Sequence, residues 1–155
     1  MLDEPQIVQT EYQHTAVIHL TIPRNQIQSL MGPAIAEVLA AVAAQGMVPA
    51  GPVFSHHLRM QADTFDFEVG VPVTMPIAAG GRVHASEWPA TTVARTIYHG
   101  GYEGLGAAWG ELGAWITSAQ RSAAPDLWEC YVAGPASGSD PAGWRTELNR
   151  PLTPA

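Results

Sequence analysis

The chain has 155 residues, of which 46% are hydrophobic and 14% charged, so it can bury a sizeable core and does not have the composition of a disordered protein. Its formal net charge is -7, and its seven Lys and Arg residues do not cluster, which argues against a nucleic-acid surface and against docking on anionic lipid. The single cysteine excludes an intrachain disulfide and a thiolate-rich metal site. No leader-like segment and no membrane-length apolar run are present, so we expect a cytoplasmic protein.

The first half of the chain predicts the order strand, helix, strand, strand. Residues 6–22 alternate and are rich in β-branched types, which predicts one strand. Residues 29–46 carry apolar side chains at helical spacing, which predicts a helix with one buried face. Residues 51–60 and 64–73 predict an antiparallel hairpin, because the second of them alternates strictly between apolar and other residues.

The second half repeats this order. Its predicted elements are strands at 81–88 and 91–99, a helix at 101–120, and strands at 126–134 and 145–152 around a Gly/Ser/Pro loop at 135–143. The closing strands of the two halves, EVGVPV and ELNRPL, share Glu, three residues, Pro and an aliphatic residue, which favours an internal duplication.

We therefore predict one α+β domain over residues 1–155, with pseudo-repeats at about 6–75 and 81–153. Two strand–helix–strand–strand modules would form an antiparallel sheet with two helices on one side. A ligand cleft would lie between the halves.

Glu129 lies in the middle of an apolar, aromatic strand. Because strand side chains alternate, Glu129 and Tyr131 share one face, while Trp128 and Val132 share the other, which we expect to pack against a helix. A Glu at such a position usually faces solvent, and spacing alone leaves that interpretation open. If the carboxylate is buried, a hydrogen-bonding phenol or a cationic ligand must compensate it.

Aromatic residues supply the other candidate ligand contacts. Trp88 precedes a strand break and is expected to line the cleft, and Tyr98 is a further candidate. Trp109 lies at helical spacing, which suits the core as well as a pocket. Rings beside a carboxylate suit planar cations, and they serve neutral lipophilic molecules equally well.

Histidines do not predict a metal site. His56 and His57 are adjacent on a strand and point to opposite faces, so they cannot both bind one metal, and the other four histidines are scattered. We expect Phe54 and His56 to face the cleft and His57 to face outside. No cofactor is expected, since the glycine-rich GLGAAWG lies inside a helix rather than at the strand–helix turn of a dinucleotide site. No nucleophilic triad is expected either, since no Gly-x-Ser-x-Gly occurs.

A set of short motifs resembles GyrI-like domains, also called AraC-type effector-binding domains. The matching residues are the GPVF at 51–54, His99, Gly100 and Tyr102 before the second helix, Glu129 and Tyr131, and Thr146, Glu147, Pro151 and Leu152 in the closing strand. The resemblance implies a tandem strand–helix–strand–strand fold with a cleft for lipophilic, often cationic, molecules. It also implies that Glu129 faces the positive charge of the ligand from an aromatic pocket. Since no helix-turn-helix precedes residue 6, we expect a stand-alone member.

Three functions follow as alternatives. The first is binding of lipophilic or cationic small molecules, without direct contact to nucleic acid or membrane; a homodimer is possible. The second, implied by the hydrolases of the family, is opening of cyclopropane-bearing genotoxins, in which Glu129 positions or deprotonates water and Tyr131 donates a hydrogen bond to the substrate carbonyl. The third is modulation of gyrase through protein contacts.

Overall fold

The computed structural model describes residues 2–60, 63–134 and 140–153. The chain divides into two compact units: unit 1 combines Met1–Thr10 with Thr91–Ala155, and unit 2 is Glu11–Ala90. Residues 61–62 of the predicted hairpin turn and residues 135–139 of the predicted loop lie outside the described residues. None of the described helices combines the length and apolar character that a membrane crossing requires.

Eight strands and two α-helices are present in the described part of the chain. In chain order they are β1 (Gln6–Gln9), β2 (Gln13–Pro23), α1 (Ile27–Ala44), β3 (Phe54–Met60), β4 (Thr64–Val73), β5 (His84–Trp88), β6 (Thr92–His99), α2 (Leu105–Ser118), β7 (Leu127–Ala133) and β8 (Arg145–Pro151). Each unit contains antiparallel strands and one α-helix, which confirms the predicted α+β class.

Unit 2 has the strand order β3–β4–β2–β5 and packs α1 against one face of these strands. Alternate residues of β2 and β4 supply that face, because their register places apolar side chains opposite one another, as in the pair Ile18 and Val69. The buried stripe of α1 that meets them consists of Ala34, Val38 and Val42. The predicted one-sided helix is confirmed.

Unit 1 has the strand order β1–β6–β8–β7 and packs α2 against one face. The helix contributes Ala108, Leu112 and Ile116, spaced four residues apart, so that they lie along one stripe. Leu148 of β8 is fully buried beneath that stripe. Glu129 of β7 lies on the same face of the strands as Leu148, because the two residues are paired directly.

The prediction of one strand over residues 6–22 was wrong. The chain forms two strands there, and they belong to different units: β1 pairs with β6, whereas β2 pairs with β4 and β5. Thr10 still donates a backbone hydrogen bond to Thr91, at 2.7 Å, and the chain then passes into unit 2. Alternation reports that a segment is extended but not which strand it pairs with. The duplication at 6–75 and 81–153 stays a prediction.

Candidate functional site

Glu129 is a buried carboxylate in unit 1, with 8% of its surface exposed. Its Oε2 accepts a hydrogen bond from the indole Nε1–H of Trp109 in α2, at 2.6 Å. Its Oε1 accepts a hydrogen bond from the hydroxyl of Tyr131, two residues along β7, at 2.9 Å. Both carboxylate oxygens are therefore held by donors on rigid elements, so the orientation of the group is fixed.

The strand register explains why these three side chains meet. Tyr131 lies opposite Thr146 and Glu129 lies opposite Leu148, and directly paired residues share a face. Leu148 belongs to the core that α2 covers, and Trp109 packs against that core from one turn before Leu112. Glu129 and Tyr131 consequently point towards the helix.

Of the two interpretations that spacing left open for Glu129, the solvent-facing one is excluded, because the side chain is buried. The expectation that Trp128 and Val132 pack against a helix was wrong, because α2 lies on the side of Glu129. Trp128 is 2% exposed on the opposite face, and Val132 is 52% exposed, beside a register shift between Tyr131 and Ala133. Alternation separated the two faces correctly but could not say which one the helix covers.

Burial raises the pKa of the Glu129 carboxyl, and the hydrogen bonds from Trp109 and Tyr131 partly oppose that rise. Among the residues that the structure describes, no arginine or histidine forms an ion pair with Glu129. The donors that the described residues supply to this carboxylate are both neutral. A positive charge placed beside it would favour its ionised form and would be bound by it.

Tyr102 and Trp144 extend the aromatic surface around this carboxylate. The ring of Tyr102 meets Tyr131 edge-on at 5.8 Å between centroids, and it lies tilted against Trp144 at 5.1 Å. The charge of Glu129 adds to burial in raising the pKa of the Tyr102 phenol. The prediction did not place Tyr102 or Trp144 among the contact residues. The signal available for Tyr102 was its position in the His-Gly-x-Tyr motif.

Tyr98 supports the turn that leads into α2. Its hydroxyl donates a hydrogen bond to the carbonyl oxygen of Gly101, at 2.8 Å. A Cβ at Gly104 would collide with that hydroxyl, and Gly100 has a φ of +140°, a conformation that favours glycine. These glycines let the chain fold closely over Tyr98, which positions the start of the helix that carries Trp109.

The structure distributes the seven predicted contact residues over both units. Glu129, Tyr131, Tyr98 and Trp109 lie in unit 1, and Phe54, His56 and Trp88 lie in unit 2. Within unit 2, the rings of Phe54 and Trp88 meet edge-on at 4.6 Å between centroids. His56 is 7% exposed and lies opposite Glu68 in the register, on the sheet face away from α1. The cleft between the halves stays a prediction.

His57 does not face outside as predicted. It is 6% exposed and lies on the α1 side of β3, where its ring stacks on Phe67 at 5.0 Å and meets Phe65 edge-on at 5.2 Å. Its Nε2 and the hydroxyl of Ser55 are 3.3 Å apart. Burial is the main cause that lowers the pKa of His57 to about 4. His56 and His57 do point to opposite faces of the sheet, but both residues are buried.

No group of three His, Cys, Asp or Glu side chains suited to a metal ion occurs among the described residues. Cys130 lies on the face of β7 away from α2, paired with Glu147, and burial raises the pKa of its thiol. Such a thiol stays protonated, so it does not suit nucleophilic chemistry. The chemistry that the described side chains of unit 1 support is therefore carboxylate and phenol chemistry around Glu129.

Comparison with protein families gives one match that covers most of the chain. Residues 3–152 match the family described as the GyrI-like small molecule binding domain. The chain belongs to the GyrI-like family. This membership confirms the family that the motifs resemble, and that family is described as a small-molecule-binding domain. Comparison with curated protein sequences gives no match.

Solved structures share the fold of this GyrI-like domain at low sequence identity. The EcmrR C-terminal domain is 20% identical with a TM-score of 0.86, and the match covers 98% of both chains. In the EcmrR–DNA complex, with the same identity and TM-score, the match covers 98% of this chain but only 58% of the EcmrR chain.

Two further solved structures share the fold: one contains a bound cation, and the other is a hydrolase. SAV2435 bound to tetraphenylphosphonium is 13% identical with a TM-score of 0.70, covering 97% of this chain and 94% of that one. A hydrolase from Listeria innocua is 11% identical with a TM-score of 0.65, covering 97% of this chain and 92% of that one. These identities establish a shared fold alone.

Proposed function

We propose that this GyrI-like domain binds lipophilic cations at Glu129. The observation that carries the proposal is a buried carboxylate that two neutral donors orient and that no cation neutralises among the described residues. Such a group is costly to ionise alone, and a cationic ligand relieves that cost while gaining a charge-assisted contact. Glu129 is therefore the charge-selecting residue.

The surrounding aromatic rings supply the rest of the affinity. Tyr131, Tyr102 and Trp144 form a chain of ring contacts that begins at the carboxylate. Tyr102 is 38% exposed, so part of this chain is open to an incoming molecule. Aromatic faces attract cations and also bury apolar surface of the ligand. SAV2435, which has the same fold, binds the lipophilic cation tetraphenylphosphonium, and this supports the choice of ligand class.

The proposal predicts that the protein binds tetraphenylphosphonium more tightly than triphenylphosphine oxide. Both molecules carry several phenyl groups on phosphorus, but only the first has a positive charge, so the difference reports charge recognition. Isothermal titration calorimetry of both compounds at neutral pH measures it. Equal affinities, or tighter binding of the neutral oxide, would contradict the proposed function.

A hydrolase remains the second candidate, since the same pair of side chains has the geometry of an acid–base couple. The raised pKa of Glu129 suits a general base, and the Tyr131 hydroxyl lies 2.9 Å from it. One structure with this fold is described as a hydrolase. In this proposal Glu129 removes a proton from water, and the Tyr131 hydroxyl turns its one hydrogen from Glu129 to the substrate carbonyl. Mass spectrometry of a cyclopropane-bearing electrophile incubated with the protein decides it: a product larger by one water supports hydrolysis, and unchanged substrate excludes it.

A further inference from the structure

The hydroxyl of Thr146 is an unexplained polar group on the same side of unit 1 as Glu129. Thr146 is completely buried, and its Oγ1 has no hydrogen-bond partner among the described residues. It lies in the middle strand of three, paired with Tyr98 of β6 and with Tyr131 of β7. Its side chain therefore shares the face that carries Tyr131.

The phenol groups on either side of Thr146 donate elsewhere. Tyr131 donates its hydroxyl hydrogen to Glu129, and Tyr98 donates its own to the carbonyl oxygen of Gly101. A buried hydroxyl without a hydrogen bond is costly, and most buried polar side chains in folded proteins have a partner. A fully buried threonine whose hydroxyl has no partner among the described residues is thus suited to a partner that comes from outside the chain.

The position of Thr146 relative to Glu129 indicates the chemistry of that partner. Glu129 is paired with Leu148, two residues from Thr146 on β8, so Thr146 and Glu129 are diagonal neighbours on one face. Diagonal neighbours lie about 7–8 Å apart at their Cα atoms, which is the reach of one aromatic ring with its substituent. The negative potential of the Glu129 carboxylate favours a ligand group that donates a hydrogen bond to Thr146 over one that accepts a hydrogen bond from it.

We propose that Thr146 is a specificity-determining residue, whose Oγ1 accepts a hydrogen bond from an N–H of an exocyclic amino group of the cationic ligand. The favoured ligands are then aromatic cations with free amino substituents, rather than cations whose amino substituents are fully alkylated. This inference rests on the proposed function, since it requires a cation beside Glu129. It adds a second polar contact, at Thr146, which depends on the substituents of the ligand's amino groups rather than on the charge of the ligand.

Proflavine and acridine orange test the proposal, because both are planar acridine monocations at neutral pH. Proflavine carries two NH₂ groups, and acridine orange carries N(CH₃)₂ groups instead. Thr146→Val is expected to lower the affinity for proflavine about three- to tenfold, the usual net effect of one hydrogen bond, and to leave acridine orange unchanged. Thr146→Ser keeps the hydroxyl and is expected to keep the affinity for proflavine. Fluorescence titration measures all four combinations.

Thr96→Val is the matched control. Thr96 is buried in the neighbouring strand β6, and its hydroxyl already donates to the carbonyl oxygen of Asp3, at 2.7 Å. Its loss is expected to leave the ratio of the two dye affinities unchanged. Thr146→Val is expected to melt at the same temperature as the parent protein or above it, because it removes a buried hydroxyl without a partner.

The outcomes separate this inference from the function on which it rests. An equal loss of affinity for both dyes in Thr146→Val, or no loss of affinity for either, overturns the role of Thr146. If Glu129→Gln still weakens the binding of both dyes in that case, the proposed cation binding at Glu129 stands without a role for Thr146. If neither dye binds to the parent protein, the proposed function fails and the role of Thr146 fails with it.

Discussion

Glu129→Gln is expected to lower the affinity for tetraphenylphosphonium by roughly ten- to hundredfold and to leave triphenylphosphine oxide nearly unaffected. The substitution keeps the size and shape of the side chain, removes its charge and replaces one acceptor oxygen with an NH₂ group. A charge-assisted contact in a partly desolvated site contributes about 1.5–3 kcal/mol, which corresponds to that range of affinities. Calorimetric titration of both compounds against both proteins gives the four values needed.

The neutral compound is the reference for the shape of the site. Aromatic walls contribute to both ligands by burying apolar surface, at about 25 cal/mol per Å², whatever the charge. A glutamine can still accept a hydrogen bond from Trp109 or Tyr131 through its one carbonyl oxygen. Equal losses for both compounds would therefore mean that the substitution disturbed the walls. No loss for either would mean that the ligand binds away from Glu129.

Glu147→Gln is a matched control in the same unit. Glu147 lies on β8, and its pairing with Cys130 places it on the face of the strands away from α2. It already has a charged partner, since its Oε1 is 3.5 Å from Nε of Arg95, and Asn149 donates to it at 3.1 Å. Neutralising this carboxylate changes the net charge by the same amount as Glu129→Gln. We expect no change in the preference for the cation, which separates local recognition from a general charge effect.

The elements of the fold were largely predictable because each has a local signal. Apolar residues at helical spacing predicted α1, and the strict alternation of residues 64–73 predicted β4, which the structure forms over Thr64–Val73. The pairing of β1 with β6 was not predictable, because the partner of a strand lies far away in sequence. Residues 6–9 and 13–23 look like one strand until their partners are known.

The site was predictable only in part, for a related reason. Alternation places Glu129 and Tyr131 on one face, and the structure shows their hydrogen bond directly. The donor from Trp109 depends on how α2 lies over the sheet, which sequence spacing does not contain. The same limit explains the error about Trp128 and the error about His57. In each case the face was known, but what covers it was not.

The affinity for tetraphenylphosphonium is expected to fall as the pH is lowered through the raised pKa of Glu129. Burial raises that pKa above its ordinary value of 4.5, so the carboxyl takes up a proton at a higher pH than an exposed glutamate would. The phosphonium has a permanent charge and does not titrate. Protonation of Glu129 therefore removes the charge contact on the protein side alone, and the full loss matches the ten- to hundredfold effect of Glu129→Gln.

The contribution of Glu129 to stability is expected to change with pH in the opposite direction to cation affinity. His57, whose pKa burial lowers to about 4, contributes a slope of the opposite sign, which is the same in the parent protein and in Glu129→Gln. Between 4.5 and the raised pKa, the folded protein keeps the proton of Glu129 while the unfolded chain has released it, so the contribution of this group to the free energy of unfolding falls as the pH rises through that window. Chemical denaturation at several pH values, with Glu129→Gln as reference, isolates this slope. The Tyr102 phenol does not interfere, because its pKa is raised from 10.0 and it stays neutral at acid pH.

The ligand connects the two trends and gives the sharpest test of both. A bound cation favours the ionised carboxylate, so binding must release a proton within the same pH window. Titrations in two buffers with different ionisation enthalpies measure that release directly. We expect proton release for tetraphenylphosphonium with the parent protein, none with Glu129→Gln, and none for triphenylphosphine oxide with either. Binding of the cation without proton release at any pH within that window would show that Glu129 is already ionised there, or that the cation binds elsewhere.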